Sequence, residues 1–260
     1  FCNMLAKVIR EEKPDLVAVA FDPRGGTFRH RLYEGYKAGR DAQPEDLTKQ
    51  FPLVREILEA YGIALLEVKD FEADDVIATL VAKAPEDVEV TIVSTDKDLM
   101  QLVSPRVELS DGMKDRRYGP AEVEERFGVP PEQMLDLRSL VGDPSDNIPG
   151  VKGIGEKGAA KLLGEWGSLE NLLQHAEEVS AKRARSALLE HAADASLSKE
   201  LSTLRSDVPL PVDFEALAFG KPASDRLRPI FERLGFTRLV AALDAGSQEV
   251  SPAASAEAPK

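Results

Sequence analysis

The sequence predicts an α/β protein, with a mostly parallel central sheet, helices on both faces and a helical subdomain behind it. Three observations carry this reading. Short apolar runs, DLVAVAFD (15–22), IALLEV (63–68) and VEVTIVS (88–94), alternate with segments of helical period. Acidic residues stand where each run ends or the next helix begins. After about residue 119 the strand-like runs stop, and only helical patterns continue to about 205.

The elements follow in order. FCNMLAKVIREEKPD reads as an amphipathic helix entering a turn, not as a signal peptide. Residues 44–61 place Leu47, Phe51, Val54, Leu58 and Tyr61 at helical spacing. FEADDVIATLVAKA is a helix with acids in its first turn and Val76, Ile77, Leu80 and Val81 on the buried side. The tight turn TDKD precedes a short helix, LMQLV. Beyond 119, PPEQ, a glycine-rich stretch and WGS divide the helices, and the proline-marked VPLPVDF leads into a helix over 224–243. The expected divisions are a core at 1–119, a helical part at 120–205 and a C-terminal segment with its helix at 206–244. Residues 245–260 are expected to be a disordered tail or linker.

Composition narrows the function classes. The 260 residues are 43% hydrophobic, enough for one large core or two modest ones. No apolar run approaches the ~20 residues that span a bilayer, so no membrane role is expected. Cys2 is the only cysteine, which excludes an intrachain disulfide and a cysteine zinc cluster and points to a reducing, cytoplasmic setting. The net charge of −13 by itself argues against nucleic acid. Its distribution does not, because FRHRLYEGYKAGR (28–40) holds Arg29, Arg31, Lys37 and Arg40 against Glu34. Standing alone, that segment reads first as a solvated helix face.

The carboxylates say more. Asp22 closes the first apolar run, Glu72, Asp74 and Asp75 open the helix after the second, and Asp96 and Asp98 follow the third. The carboxyl ends of parallel strands share one edge, where open α/β folds bind ligands. Asp143 and Asp146, in GDPSDN, are placed to close such a cleft from the helical half. Each group has a plainer reading: FEADD as a helix cap that offsets the dipole, D-x-D as a turn, GDPSDN as a cap. Gathered in one cleft, like charges raise one another's pKa unless cations hold them. Oxygen ligands without cysteine or paired histidine indicate Mg²⁺ or Mn²⁺ rather than zinc. Two such ions about 4 Å apart suit phosphodiester hydrolysis.

Gly153-Ile154-Gly155-Glu156-Lys157-Gly158 fits the dinucleotide spacing G-x-G-x-x-G. That motif needs a buried strand before it, whereas turn residues, GDPSDNIPG, precede it here. An NAD enzyme is therefore a weak rival.

Four stretches carry a resemblance. FDPRGGTFRHRLYEGYKAGR, FEADDVIATL, STDKDLMQLV and GDPSDNIPGVKGIGEKGAAKLL, in this order and spacing, resemble the 5′-nuclease domain of bacterial DNA polymerase I. That domain belongs to the flap-endonuclease superfamily and has a PIN-like fold. The resemblance runs from residue 1 to about 244, and LRPIFERLGFTRLV resembles the end of the domain ahead of a polymerase portion. It implies that Asp22, Glu72, Asp74 and Asp75 belong to one metal site or its water shell, and that Asp96, Asp98, Asp143 and Asp146 make up or support a second. It implies an arch at about 24–50, with Arg29 and Lys37 gripping the scissile phosphate. Arg31 and Arg40 add DNA contacts, and Tyr36 either stacks on a base or is simply packed.

PGVKGIGEKGAAKLL resembles a helix–hairpin–helix of the helix–three-turn–helix type, within 142–163. It implies that Gly150, Gly153 and Gly155 bring backbone close to a DNA phosphate, that the helix start favours the anion, and that Lys152, Lys157 and Lys161 add charge. In the family a K⁺ ion often sits at the hairpin carbonyls. Such contacts position a duplex without reading its sequence.

The implied activity is structure-specific hydrolysis at 5′ flaps, nicks and RNA primers by two Mg²⁺ or Mn²⁺ ions, in DNA replication and repair. The implied partners are branched or nicked duplex DNA, RNA-primed DNA and a C-terminal polymerase domain in the same polypeptide. A monomer acting at the bacterial nucleoid is expected. The sequence departs from the family at its start, where the usual strand with an Asp-Gly pair has no counterpart. It is therefore expected to be a fragment lacking one strand and one metal ligand. The rivals are a non-catalytic module that binds branched DNA with salt-dependent affinity and a free-standing 5′-nuclease.

Overall fold

The structure is a computed structural model that describes residues 1–41, 43–220 and 222–248. The chain forms two compact units, one of Phe1–Val19, Gln43–Leu65 and Asp213–Lys260, the other of Ala20–Ala42 and Leu66–Val212. Helix α1 (Cys2–Glu12) ends where Lys13 turns left-handed, at φ 47°. Strand β1 (Ala18–Ala20) follows, then the short helix α2 (Phe28–Leu32). The helix expected over 44–61 is two helices, α3 (Glu45–Thr48) and α4 (Phe51–Tyr61). Pro52 accounts for the break, because it has no N–H to offer the Thr48 carbonyl one turn back.

Strand β2 (Ala64–Leu66) pairs with β1, and α5 (Ala73–Lys83) is the helix expected from FEADD. Its buried positions are Asp75, Val76, Ala78 and Thr79, whereas Ile77, Leu80 and Val81 are only partly covered. A second sheet holds β3 (Val90–Val93), β4 (Val107–Asp111) and β5 (Arg116–Tyr118). β3 runs parallel to β4, and β4 antiparallel to β5. The three apolar runs expected in one sheet thus fall in two, and this sheet is mixed. β4 and β5 were not expected from the sequence. β4 alternates, burying Val107, Leu109 and Asp111, while β5 is polar and mostly exposed, so neither shows as a continuous apolar run.

The helices that follow are α6 (Pro120–Phe127), α7 (Met134–Val141), α8 (Glu156–Trp166), α9 (Leu169–Gln174), α10 (Lys182–Glu190) and α11 (Ala192–Ser202). Their apolar residues recur at three and four, as with Leu137 and Leu140 or Ala159 and Leu163, and close one core with Leu99, Leu109 and Leu172. Full burial of each such leucine contributes roughly 1.5–3 kcal/mol. The helix expected over 224–243 is also two, α12 (Ser224–Arg233) and α13 (Thr237–Gln248), separated at Gly235 with φ 69°. In this unit Ile57 and Ala60 of α4 pack on Leu227, Ile230 and Phe231 of α12. α13 continues past residue 245, where a tail was expected, and residues 249–260 of that stretch lie outside the described residues.

The glycine-rich stretch is a backbone crossing. Asp143 and Ile148 exchange N–H···O bonds of 2.9 and 2.8 Å, and the Val151 N–H donates to the Leu140 carbonyl at 2.7 Å. Gly150 has φ +61°, and a Cβ there would lie 2.4 Å from the Gly142 nitrogen. Gly153 has φ +92° and open space around it. Gly150→Ala should therefore cost about 3 kcal/mol, from the left-handed backbone plus overpacking, and Gly153→Ala about 1 kcal/mol. Urea denaturation of both variants checks this, and equal losses would mean that the crossing is not closely packed.

Candidate metal centre

The acids are gathered around the start of α5 and the end of β3, all within the larger unit. The Asp22 carboxylate accepts the Ala73 N–H at 2.8 Å, which fixes it on the first turn of α5. Glu72, the N-cap of α5, is 8% exposed. It accepts from Lys37 Nζ at 2.6 Å, the Tyr36 hydroxyl at 2.9 Å and Arg29 Nη1 at 3.3 Å. Asp146 accepts from Arg40 Nε at 3.0 Å, with Lys37 Nζ 3.8 Å away. At the end of β3, the Asp96 carboxylate accepts the Asp98 N–H at 2.9 Å.

Asp74 sits among these charges, and no hydrogen-bond donor is directed at its side chain among the described residues. Burial, and then the fields of Asp96, Asp22, Asp98 and Glu72, push its pKa up to about 8. Asp98 is also raised, by burial first, with Arg138 opposing and Asp96 adding to the shift.

Arg138, on α7, was not anticipated from the sequence. Its Nε donates to Asp98 at 2.6 Å and its Nη2 to Asp143 at 2.5 Å, so one guanidinium joins the two acids. Burial alone would raise Asp143, but Arg138 and the Ser145 N–H bring it below the usual carboxylate range. An arginine four residues before GDPSDN, on a helix otherwise spaced for burial, is the signal that could have found it.

Three residues expected at the acidic centre and arch have other roles. Asp75 is 0% exposed. Its oxygens accept from Arg29 at 2.6 and 2.8 Å, from the Arg205 N–H at 2.9 Å and from the Glu72 N–H at 3.0 Å, which leaves no open side for a metal. Arg29 is 2% exposed and also donates to the Leu201 and Thr203 carbonyls at 2.7 and 2.9 Å. Burial works against its charge, but Asp75 and Glu72 outweigh that and raise its pKa. It is a structural cation and cannot grip a phosphate. Tyr36 is 4% exposed and packs with Ile148 and Leu201, so of its two readings the packed one holds. Burial, then the charges of Glu72 and Asp146, push its phenol far above its usual range.

The remaining basic residues are accessible. Lys37 bridges Glu72 and Asp146 at 17% side-chain exposure, and Arg31 forms an exposed two-pronged pair with Asp70 at 2.5 and 2.6 Å. At the hairpin, Lys152, Gly153, Gly155 and Lys157 are exposed ahead of and on α8. Lys161 is exposed and lies 3.8 Å from Glu165. Gly150 is buried, and its N–H donates to Ser198 Oγ at 2.9 Å, so its role there is packing.

No three of the described acidic, histidine or cysteine side chains converge closely enough to hold an ion between them. Basic partners hold most of the acids: Lys37 and Arg40 on one side, Arg138 on the other. The donor set still fits a hard divalent cation, because Asp74 is an oxygen donor crowded by Asp22, Asp96, Asp98 and Glu72, and a bound cation would relieve that crowding.

The larger unit thus combines an α/β part that carries the acidic centre with a helical part that carries the glycine hairpin. Two family models match the chain consecutively: 5′-3′ exonuclease, N-terminal resolvase-like domain, over residues 1–128, and 5′-3′ exonuclease, C-terminal SAM fold, over residues 129–225. The chain belongs to the 5′-3′ exonuclease family.

DNA polymerase I of Rhizobium leguminosarum is 44% identical over 97% of this chain and 26% of its own length. The thermostable DNA polymerase I of Thermus thermophilus is 48% identical over 92% of this chain and 28% of its own length. The chain thus spans about a quarter of the length of the curated relatives it matches. Among solved structures, the T5 D15 protein co-crystallised with metal ions superposes with a TM-score of 0.70 at 22% identity, over 89% of both chains. The catalytic core of Rad2 in complex with DNA substrate gives 0.59 at 18% identity, over 89% of this chain and 78% of that one. These likenesses support the resolvase-like α/β fold with its helical second part.

Proposed function

We propose that this chain is the 5′-nuclease portion of a bacterial DNA polymerase I. It would hydrolyse phosphodiester bonds at 5′ flaps, nicks and RNA primers in DNA replication and repair. The observation that carries the reading is the gathering of Asp22, Glu72, Asp96 and Asp98 around Asp74, whose pKa burial first and then these neighbours push up to about 8. Bound divalent ions, Mg²⁺ or Mn²⁺, would supply a more acidic water and offset charge on the phosphate. Asp22, Glu72 and Asp74 would hold one ion or its water shell, and Asp96, Asp98, Asp143 and Asp146 would make up or support a second. Lys37, which pairs with Glu72 and Asp146, would contact the scissile phosphate and stabilise its charge. The exposed Gly153–Gly155 hairpin, with Lys152, Lys157 and Lys161, would hold duplex backbone, and its carbonyls would take K⁺. Arg31 and Arg40 would contact the single strand. A monomer in the bacterial cytoplasm, continuous with a polymerase domain, is the form proposed. Among the described residues no helix is long and apolar enough to cross a membrane.

The test uses an end-labelled 5′-flap duplex with the chain, in Mg²⁺ or in EDTA. Release of the flap only with Mg²⁺, lost in Asp96→Ala while DNA is still bound, is the expected result. Salt-dependent binding with no metal-dependent product would replace this reading with the non-catalytic one.

A further inference from the structure

Beyond the acids, at the carboxyl ends of β3 and β4, lies a cavity of about 210 Å³. Four cations line it: Lys97, Lys114, Arg116 and Arg126, with Thr95 and Tyr118 beside them. They come from three separate segments, the loop after β3, the β4–β5 hairpin and the end of α6. Like charges converging on one cavity repel one another unless acids or a bound anion offset them. Two acids answer the four cations. Asp111 pairs with Lys114 at 3.1 Å, and Glu156 is shared by Lys97 at 3.4 Å and Arg126 at 3.7 Å. Arg116 is exposed and has no ion pair among the described residues. The hydroxyls of Thr95 and Tyr118 add neutral donors.

The position matters as much as the charge. Lys97 stands between Asp96 and Asp98 in the chain, so one loop lines the cavity and also carries two acids of the centre. Glu156 is the first residue of α8, next to the exposed Gly155 and Lys157. The lining is therefore tied through one loop to the acids and through Glu156 to the start of the hairpin helix. The volume is small for a whole nucleotide and suits one phosphate group.

We infer that this cavity is a phosphodiester-binding site, which takes a backbone phosphate of duplex DNA between the hairpin and the acidic centre. It rests on the DNA-binding reading above and adds one register point to it. The occupant is a strand phosphate because Glu156, the acid shared by Lys97 and Arg126, opens the same helix that carries the exposed Lys157 and Lys161.

The test measures binding of a fluorescent nicked duplex by anisotropy, without divalent metal, across a range of salt. The full chain is compared with Lys114→Gln/Arg116→Gln. Both side chains are exposed, and thermal melting confirms an unchanged fold. Loss of one or two phosphate contacts should reduce the slope of log Kd against log salt by about 1 to 2 and raise Kd roughly ten-fold at moderate salt. Lys182→Gln/Arg183→Gln, on the exposed start of α10, makes the same charge change elsewhere and should do much less. Equal effects of the two pairs, or no change from the first, would overturn the site. If the unmodified chain bound no duplex at all, the function reading itself would fail. In a parallel arm, inorganic phosphate is titrated against the free and the duplex-bound chain. A saturable rise in melting temperature that persists with duplex bound would mark a free-anion site and overturn the strand assignment.

Discussion

Arg29→Ala should destabilise the larger unit by roughly 3–5 kcal/mol, the range for removing one partner of a buried ion pair. That is a large share of the ~5–15 kcal/mol that holds a typical domain. Asp75 is wholly buried and depends on Arg29 for two of the hydrogen bonds its oxygens accept. Without the guanidinium, a carboxylate stays in the core with two backbone N–H groups as its remaining partners. The Leu201 and Thr203 carbonyls lose their donors as well. The arginine therefore ties α2 to α5 and to the segment after α11. Arg29→Lys should recover little, since an ammonium cannot fill the two-pronged contact and reach two carbonyls together. Arg29→Met/Asp75→Leu should recover most of the loss, because it removes both charges at once. Urea unfolding followed by circular dichroism compares the variants. A loss under 1 kcal/mol for Arg29→Ala would show that the buried network is not what holds these segments together.

The same residue shows where reading the sequence stops. FRHRLYEGYKAGR displays four cations, but one-dimensional spacing does not say which of them turns inward. Arg29 and Tyr36 are buried while Arg31 is exposed, and the choice is made by Asp75 and Leu201, distant in the chain. Asp22, Asp96 and Asp98 do lie around Asp74, although the runs they follow fall in two sheets rather than along one parallel edge. Adjacent acids at the start of α5 were harder to separate. Asp74 and Asp75 are neighbours in sequence, yet successive helical residues point about 100° apart. One therefore faces the acidic centre and the other faces Arg29. The β4–β5 hairpin was missed because β5 is cationic and exposed. Its charge belongs to the cavity beside it rather than to the core.

Asp74→Asn should act in two opposite directions. The folded-state pKa of about 8 lies above the ordinary carboxylate value of ~3.9, so folding favours the protonated acid. In the absence of metal, the ionised form destabilises the fold progressively as pH rises from about 4 to about 8, and the penalty is then constant. A gap of roughly four units would amount to about 5 kcal/mol in full, and partial access of water reduces the expected gain to roughly 2–4 kcal/mol at neutral pH. Metal-free Asp74→Asn should therefore be more stable than the unmodified chain at pH 8 and nearly equal to it at pH 4.

With Mg²⁺ present the order should reverse in function. The unmodified chain should gain stability with added Mg²⁺, and gain more at pH 8 than at pH 6, because the ion competes with a proton for the same oxygens. The asparagine variant lacks that charge and should gain little at either pH, with flap cleavage reduced at least 100-fold. Thermal melts at four pH values, with and without Mg²⁺, separate the possibilities. If Asp74→Asn proved less stable than the unmodified chain at pH 8 without metal, Asp74 would be held by a partner rather than strained by its neighbours. If both proteins gained equally from Mg²⁺, the ion would bind elsewhere, and the acids at the start of α5 would be left with capping as their role.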